Sequence, residues 1–262
     1  MVNIKTELRN VAAMAACLVL IAMFASCKKE DENGTKVDVK LLDTETSGEF
    51  HMRKFFYDEQ NRIKEIWIFS GEQLMEKQIL TYINEDLTKL EYAYLDEGEF
   101  VVVDTRNYVK NGNTISWSFG VEIIEGEGEG SQDFKSTITL NNNGFPEKLE
   151  EVLFNTSSVS TFTYVNGNLT KYLYDTMFSS NSNDPGERNY TYDTNRSAYS
   201  GCKTPKWFMF MHFYENASHN VVTTLSYPAT TYSYEFDSDG FPTKCTEIYY
   251  GIESITEFKY MN

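Results

Sequence analysis

The stretch TFTYVNGNLTKYLYD, residues 161–175, constrains the fold more than any other feature, because its layout returns along most of the chain. Phe162 and Tyr164 alternate with Thr161, Thr163 and Val165, the period-2 signature of a strand whose two faces meet different surroundings. Asn166-Gly167-Asn168 tolerates positive φ, so the chain reverses tightly, and Leu169, Tyr172 and Tyr174 begin the return. A chain made of such units pairs each strand with the next one.

Related units read FYDEQNRIKEI from Phe56, LTYINEDLTKLEYAYL (80–95), NYVKNGNTISWSFGVEII (107–124) and TITLNNNGFPEKLEEVLF (137–154). A degraded copy follows at 190–201 and another at 232–250, and ITEFKY (255–260) finishes the chain. Tyr57, Tyr82, Tyr108, Leu140, Tyr164, Tyr192 and Phe236 end the first strand of each unit. Their commonest spacing is about 25 residues, room for two strands and two turns. Gly144-Phe145-Pro146 and Gly240-Phe241-Pro242 occupy equivalent places, with proline at the first residue of a strand, where no ladder bond is lost. Three insertions stretch the spacing: an acidic Gly loop (125–133), a polar loop (179–189) and KTPKWFMFMHFYENASHN (203–220).

Side-chain alternation predicts sheets packed on one face. Ile115, Trp117, Phe119 and Val121 oppose Ser116 and Ser118, and Ile63, Glu65, Trp67 and Phe69 form one row of an earlier strand. The expected fold is all-β, an antiparallel meander of repeated hairpins curled into a barrel or a strongly bent single sheet that protects its edges. No stretch shows a sustained helical apolar stripe. Charged residues on both faces of strands such as EKLEEVLF leave no clean lipid-facing band, so the barrel is expected to be soluble rather than membrane-spanning.

The amino terminus sets the expected address. Lys5 and Arg9 precede an uncharged run from Val11 to Ser26, too short for a spanning helix and suited to a secretory signal. Phe24-Ala25-Ser26-Cys27 resembles the lipobox of bacterial lipoproteins, with Phe24 where leucine is usual, and this implies lipid attachment at Cys27. The alternative is an ordinary signal peptide cut near Ala25. The division is then a signal peptide at 1–26, a lipidated cysteine and flexible tether at 27–36, and a single repeat domain at 37–262. The charged start of the tether, KKEDE, resembles the signal that carries Bacteroidetes lipoproteins to the outer face of the outer membrane. Together with FYDEQNRIKEI, LTYINEDLTKLEY and FTYVNGNLTKYLYD, which resemble the Tyr-Asp repeats of bacterial wall-associated proteins, the chain is similar to Bacteroidetes lipoproteins of unknown function with a porin-like β-fold. That resemblance implies an outer-membrane lipoprotein, at the cell surface or on the periplasmic face, and carries no catalytic residues with it.

The net charge of −16 is scattered along the chain and would repel phosphate, so nucleic acid is excluded as a partner. Cys202 and Cys245 would lie in a disulfide-permissive compartment, either bridged or as two buried thiols. His51, His212 and His219 lack zinc-motif spacing, no nucleophile has a convincing base, and no cofactor fingerprint is present. Asp237-Ser238-Asp239-Gly240 reads as a solvated turn in preference to a calcium loop. Scattered carboxylate pairs leave a glycosidase as a distant alternative. The most unusual stretch runs from Trp207 to Tyr214: a central strand buried on both faces, an insertion plugging the barrel, or a surface offering Trp207, Phe208, Phe210, His212 and Tyr214 to a glycan, lipid or envelope-protein partner. The expected function is a lipid-anchored binding or scaffolding module without enzymatic activity. A carrier of an apolar ligand in an interior cavity is the alternative.

Overall fold

Short aromatic strands joined by Asn, Asp and Gly turns can close only by local antiparallel pairing, and the computed structural model shows that arrangement. It describes residues 39–48, 51–123, 130–153, 156–174, 186–213, 219–225 and 229–261. The first half comprises β1 (Leu42–Ser47), β2 (His51–Tyr57), β3 (Ile63–Ser70), β4 (Gln73–Ile83), β5 (Asp86–Asp96), β6 (Glu99–Asn107), β7 (Val109–Asn111) and β8 (Thr114–Ile123). The second comprises β9 (Gly130–Leu140), β10 (Pro146–Leu153), β11 (Thr156–Val165), β12 (Asn168–Tyr174) and β13 (Gly186–Arg196). A helix, α1 (Lys206–Phe213), precedes β14 (His219–Leu225), β15 (Thr230–Phe236), β16 (Pro242–Tyr249) and β17 (Ile252–Tyr260). Val39–Asn262 group as one compact unit.

These 17 strands form one sheet in which every paired neighbour is antiparallel, and β17 returns to pair antiparallel with β1. An odd number of alternating passes would bring first and last strands together parallel. Tyr108 alone separates β6, which pairs with β5, from β7, which pairs with β8, so the two run on as one pass. The even count of passes allows the antiparallel closure. The result is a nearly closed barrel. No described helix is long and apolar enough to cross a membrane.

The turns explain the sequence repeat. At one rim Asp58 Oδ1 accepts the N–H of Gln60 and of Arg62. Asn141 Oδ1 accepts those of Asn143 and Phe145, and Asp237 Oδ1 those of Asp239 and Phe241. The fourth residue of each turn takes positive φ: 64° at Asn61, 78° at Gly144 and 79° at Gly240. An asparagine can adopt that conformation, which is why the first copy does without glycine. Strand-end tyrosines then tie units together. Tyr57, Tyr82 and Tyr260 donate their hydroxyls to the carbonyls of Leu42, Ile63 and Pro242 at 2.9, 2.8 and 2.8 Å. Each of these acceptors begins a strand.

Inward rows bring Phe55, Ile66, Leu80, Leu90 and Ile138 into the core, each at most 5% exposed. One expected row is broken. A register shift at Phe56/Tyr57 pairs Tyr57 with Ile63 but Phe56 with Glu65, so Ile63, Ile66 and Ile68 face inward. Trp67 faces outward, donating to Glu65 at 2.8 Å beneath the Lys77 ammonium. A bulge reverses the alternation at one residue, and period-2 reading carries no sign of it.

The stretch from Trp207 corrects the expectation of a strand and of a chain without helix. It is helical through Phe213, and its side chains fill the barrel at the rim of the 58–62 and 141–145 turns. The Pro205 carbonyl accepts the N–H of Phe208 at 3.0 Å and of Met209 at 3.1 Å, and at this helix start the missing proline N–H costs nothing. Because the barrel surrounds it, the helix is apolar on all sides and shows no stripe. Of the readings offered by the sequence, the plug is the one the structure shows.

Candidate functional site

Two regions of the lumen differ in chemistry. Toward the plugged rim it is aromatic: Trp207 sits edge-on to Tyr108 at 4.9 Å, and Phe210 edge-on to Phe162 at 4.8 Å. Trp207 and Phe210 are 5% exposed and Phe208 is 0% exposed. His212 stacks on Phe208 at 4.1 Å. Lost hydration first, and the Arg106 guanidinium second, hold its imidazole down to about 3, so it stays neutral near pH 7. These four residues are thus brought together as packing; Tyr214 lies outside the described residues, as do Cys27 and the tether.

Beyond the plug the lumen turns polar. Glu45 accepts from Arg53 at 3.0 Å and from the Tyr199 hydroxyl at 2.5 Å. Arg106 donates to Asp104 at 3.2 Å and lies over the Tyr92 ring at 4.8 Å. Burial pushes the Tyr92 phenol up to about 12, so it remains a neutral donor. Ser136, Ser158 and Ser160 face the same space and are buried, and burial raises the Glu151 carboxyl against the opposing hydrogen bond with Ser158.

The segment leading into α1 is fastened to the barrel by a short chain of hydrogen bonds. Cys202 Sγ donates to Thr204 Oγ1 at 3.2 Å, and Thr204 Oγ1 also accepts the Ile63 N–H at 2.7 Å. Lys203 N–H donates to the Asn61 carbonyl at 2.9 Å. Gly201 is required here, since a Cβ would run into the Lys40 carbonyl oxygen. Desolvation raises the Cys202 thiol, which is therefore a poor nucleophile. Cys245 lies in β16, paired with Tyr234 and Thr256, and the structure carries both cysteines as thiols.

Over this fastened segment lies a groove of about 860 Å³, the larger of two described concavities; the other, about 290 Å³, lies beside Glu45 and Arg53. Ile115, Leu140, Pro205 and Trp207 line the groove. Three hairpins and the approach to α1 bring charged groups to it, among them Glu59, Glu85, Lys203 and Lys206. Arg62 and Lys110 are engaged by Asp58 and Asp86 at 2.7 and 2.6 Å. Among the described residues Glu59, Glu85, Lys203 and Lys206 form no ion pair; the Lys206 ammonium rests 4.4 Å from the Phe145 ring. Size, an apolar floor and converging polar groups are what a small-molecule or peptide-end site requires. Trp207 is the one groove residue singled out from sequence as a ligand contact. The charged ones sit in or beside turns and at the start of α1, where nothing in sequence separates a ligand contact from ordinary solvated polarity. Among the described residues no three or more His, Cys, Asp or Glu are gathered to hold a metal ion.

No model of a known protein family matches the chain, and no curated protein matches it. Among solved structures it is similar to a porin-like protein from Bacteroides uniformis ATCC 8492, at 13% identity and a TM-score of 0.39, over 84% of this chain and 98% of that one. A porin-like protein from Bacteroides vulgatus ATCC 8482 is similar at 13% identity and a TM-score of 0.41, over 85% of this chain and 99% of that one.

Proposed function

We propose that the chain is a lipid-anchored protein of the bacterial cell envelope whose plugged barrel presents a ligand-binding groove at one rim. The observation that carries the reading is the groove of about 860 Å³, floored by Ile115, Leu140, Pro205 and Trp207 and edged by Glu59, Glu85, Lys203 and Lys206. A groove carrying both signs favours a ligand that is itself polar and bears both charges or many hydroxyls, such as a peptide end or a glycan. The anchor rests on Phe24-Ala25-Ser26-Cys27. An aqueous setting for the barrel is supported by ion pairs on the outer wall: Lys89–Glu91, Lys148–Glu150, Lys171–Glu187 and Lys244–Glu235, at 2.7 to 2.9 Å. Charge at mid-wall is costly against lipid. The alternative of an apolar cargo in the lumen is opposed by Glu45, Arg53, Asp104 and Arg106 facing that space.

The test has two arms. Cys27→Ala should move the protein from the membrane fraction to the soluble fraction, and unchanged membrane retention defeats the anchor. Thermal-shift screening of the protein against dipeptides, soluble oligosaccharides and short-chain phospholipids should find a stabilising compound. Its effect should be lost in Lys206→Glu and kept in the outer-wall variant Lys148→Glu. A stabilising compound indifferent to Lys203, Lys206, Glu59 and Glu85 substitutions would remove the groove from consideration.

A further inference from the structure

The barrel wall is not laddered all the way round. β6 pairs with β5 from Asp96↔Glu99 to Lys89↔Asn107. On its other side only β7 is paired, through Val109↔Ser116, Lys110↔Ile115 and Asn111↔Thr114. β8 continues along β9 as far as Ile123↔Gly130. Among the described residues no ladder joins the β6 edge to β8 beyond Ser116. Arg106 reaches across instead, its guanidinium 5.0 Å from the Phe119 ring, and keeps the strands near one another inside the lumen. The two strand edges stay close beside Tyr108 and, beyond it, face an unladdered slot toward the rim of the Glu97-Gly98 turn.

An unpaired edge of this length is a template for another strand. Along it Val101, Val102 and Val103 are 47%, 47% and 61% exposed. The Tyr92–Asp104 and Ala93–Val102 pairs leave Val103 as a bulged residue, so Val102 lies on the outer face and Val101 on the inner one. Alternate apolar contacts on both faces of a row of main-chain donors and acceptors are the recognition elements of strand addition.

We propose that the slot between β6 and β8 is a docking site for an extended peptide segment that carries basic residues, added edge-on to β6. The charge follows from the mouth of the slot. Asp96, Glu97 and Glu99 lie at the β5–β6 turn and form no ion pair among the described residues, whereas Asp104, deeper in, is held by Arg106 at 3.2 Å. A second copy of this chain would set the same three carboxylates against each other and bring −16 against −16. A strand with β-branched residues and lysines meets both the apolar row and the acidic mouth.

The experiment is hydrogen–deuterium exchange on the full chain with the synthetic peptide Lys-Val-Lys-Val-Thr-Val-Lys, and with its counterpart bearing Glu in place of Lys. Slot-facing amides of residues 100–106 should exchange rapidly in the free protein and slow by roughly tenfold or more with the lysine peptide, because strand addition protects them. The Glu97→Lys, Glu99→Lys double variant should fold normally, bind the lysine peptide roughly tenfold more weakly and lose the salt dependence of binding. β6 amides already protected as well as those of β5 would show a closed wall and overturn the proposal. So would unchanged exchange at saturating lysine peptide, equal protection by the glutamate peptide, or protection that grows with protein concentration alone, which would identify a second copy as the occupant.

Discussion

Truncating Phe208 to alanine tests whether α1 is a structural plug. Phe208 is 0% exposed, meeting Trp207 edge-on at 5.9 Å and stacking on His212 at 4.1 Å. Burying a phenylalanine side chain is worth roughly 1.5–3 kcal/mol in transfer free energy. The ring's place lies between a helix and a sheet wall that cannot collapse readily, so a cavity penalty adds and the total approaches about 3–5 kcal/mol. For a domain of this size each kcal/mol lowers the melting midpoint by about 2–4 °C, so a drop of roughly 6–20 °C is expected. Urea unfolding should show the midpoint falling with an unchanged slope. A control, Phe56→Ala, removes an outward ring that packs against Trp67 at 4.6 Å, and should cost clearly less. A loss below about 1 kcal/mol for Phe208→Ala would refute the lodged helix, because no buried aromatic ring is removed so cheaply.

Three further outcomes follow from the same geometry. Tyr82→Phe removes the donor to the Ile63 carbonyl and should cost about 1 kcal/mol in urea unfolding, whereas Tyr249→Phe, at a side chain 44% exposed, should cost nothing measurable. Burial alone would raise the Asp237 carboxyl, but the Lys40 ammonium and the N–H groups of Phe241 and Asp239 outweigh it and lower the value. Its stabilisation is therefore present above the unfolded carboxyl range near about 3.9 and lost as pH falls through the folded value, so the deficit of Asp237→Ala should shrink in acid. His212, held down to about 3 against an ordinary value near 6.5, takes up its proton in the unfolded chain first, so stability should fall as pH drops between those values; His212→Phe should flatten that slope.

The sheet was legible because each hairpin carries its own instructions: a side-chain oxygen opening the turn, a residue tolerant of positive φ, and alternation on both arms. Asp58, Asn141 and Asp237 do the same job with two residue types, and Asn61 does what Gly144 and Gly240 do elsewhere. Curling into a barrel or a strongly bent sheet followed from the need to protect the edges of so many strands. What sequence hid was non-local. The bulge at Lys64 reversed an expected row, and the lumen made Lys206–Phe213 helical without a helical stripe. A local sign was present in Thr204-Pro205, a common way to begin a helix. The groove was hidden for another reason: Glu59 and Glu85 come from two hairpin turns and Lys203 and Lys206 from the segment that starts α1, and only the barrel's curvature gathers them. The unladdered β6 edge was hidden too, because VVVDTRN reads like any other strand.

The most direct test of a barrel closed by its own helix is the solvent access of Trp207. Of the three tryptophans, Trp67 faces outward and Trp117 packs edge-on against Tyr108 at 5.6 Å, so a Trp67→Phe, Trp117→Phe variant leaves Trp207 as the sole indole reporter. At 5% exposure its emission should be blue-shifted and nearly insensitive to acrylamide until the protein unfolds. Red-shifted emission quenched as readily as free tryptophan in the folded protein would place the helix outside the lumen and contradict the plug.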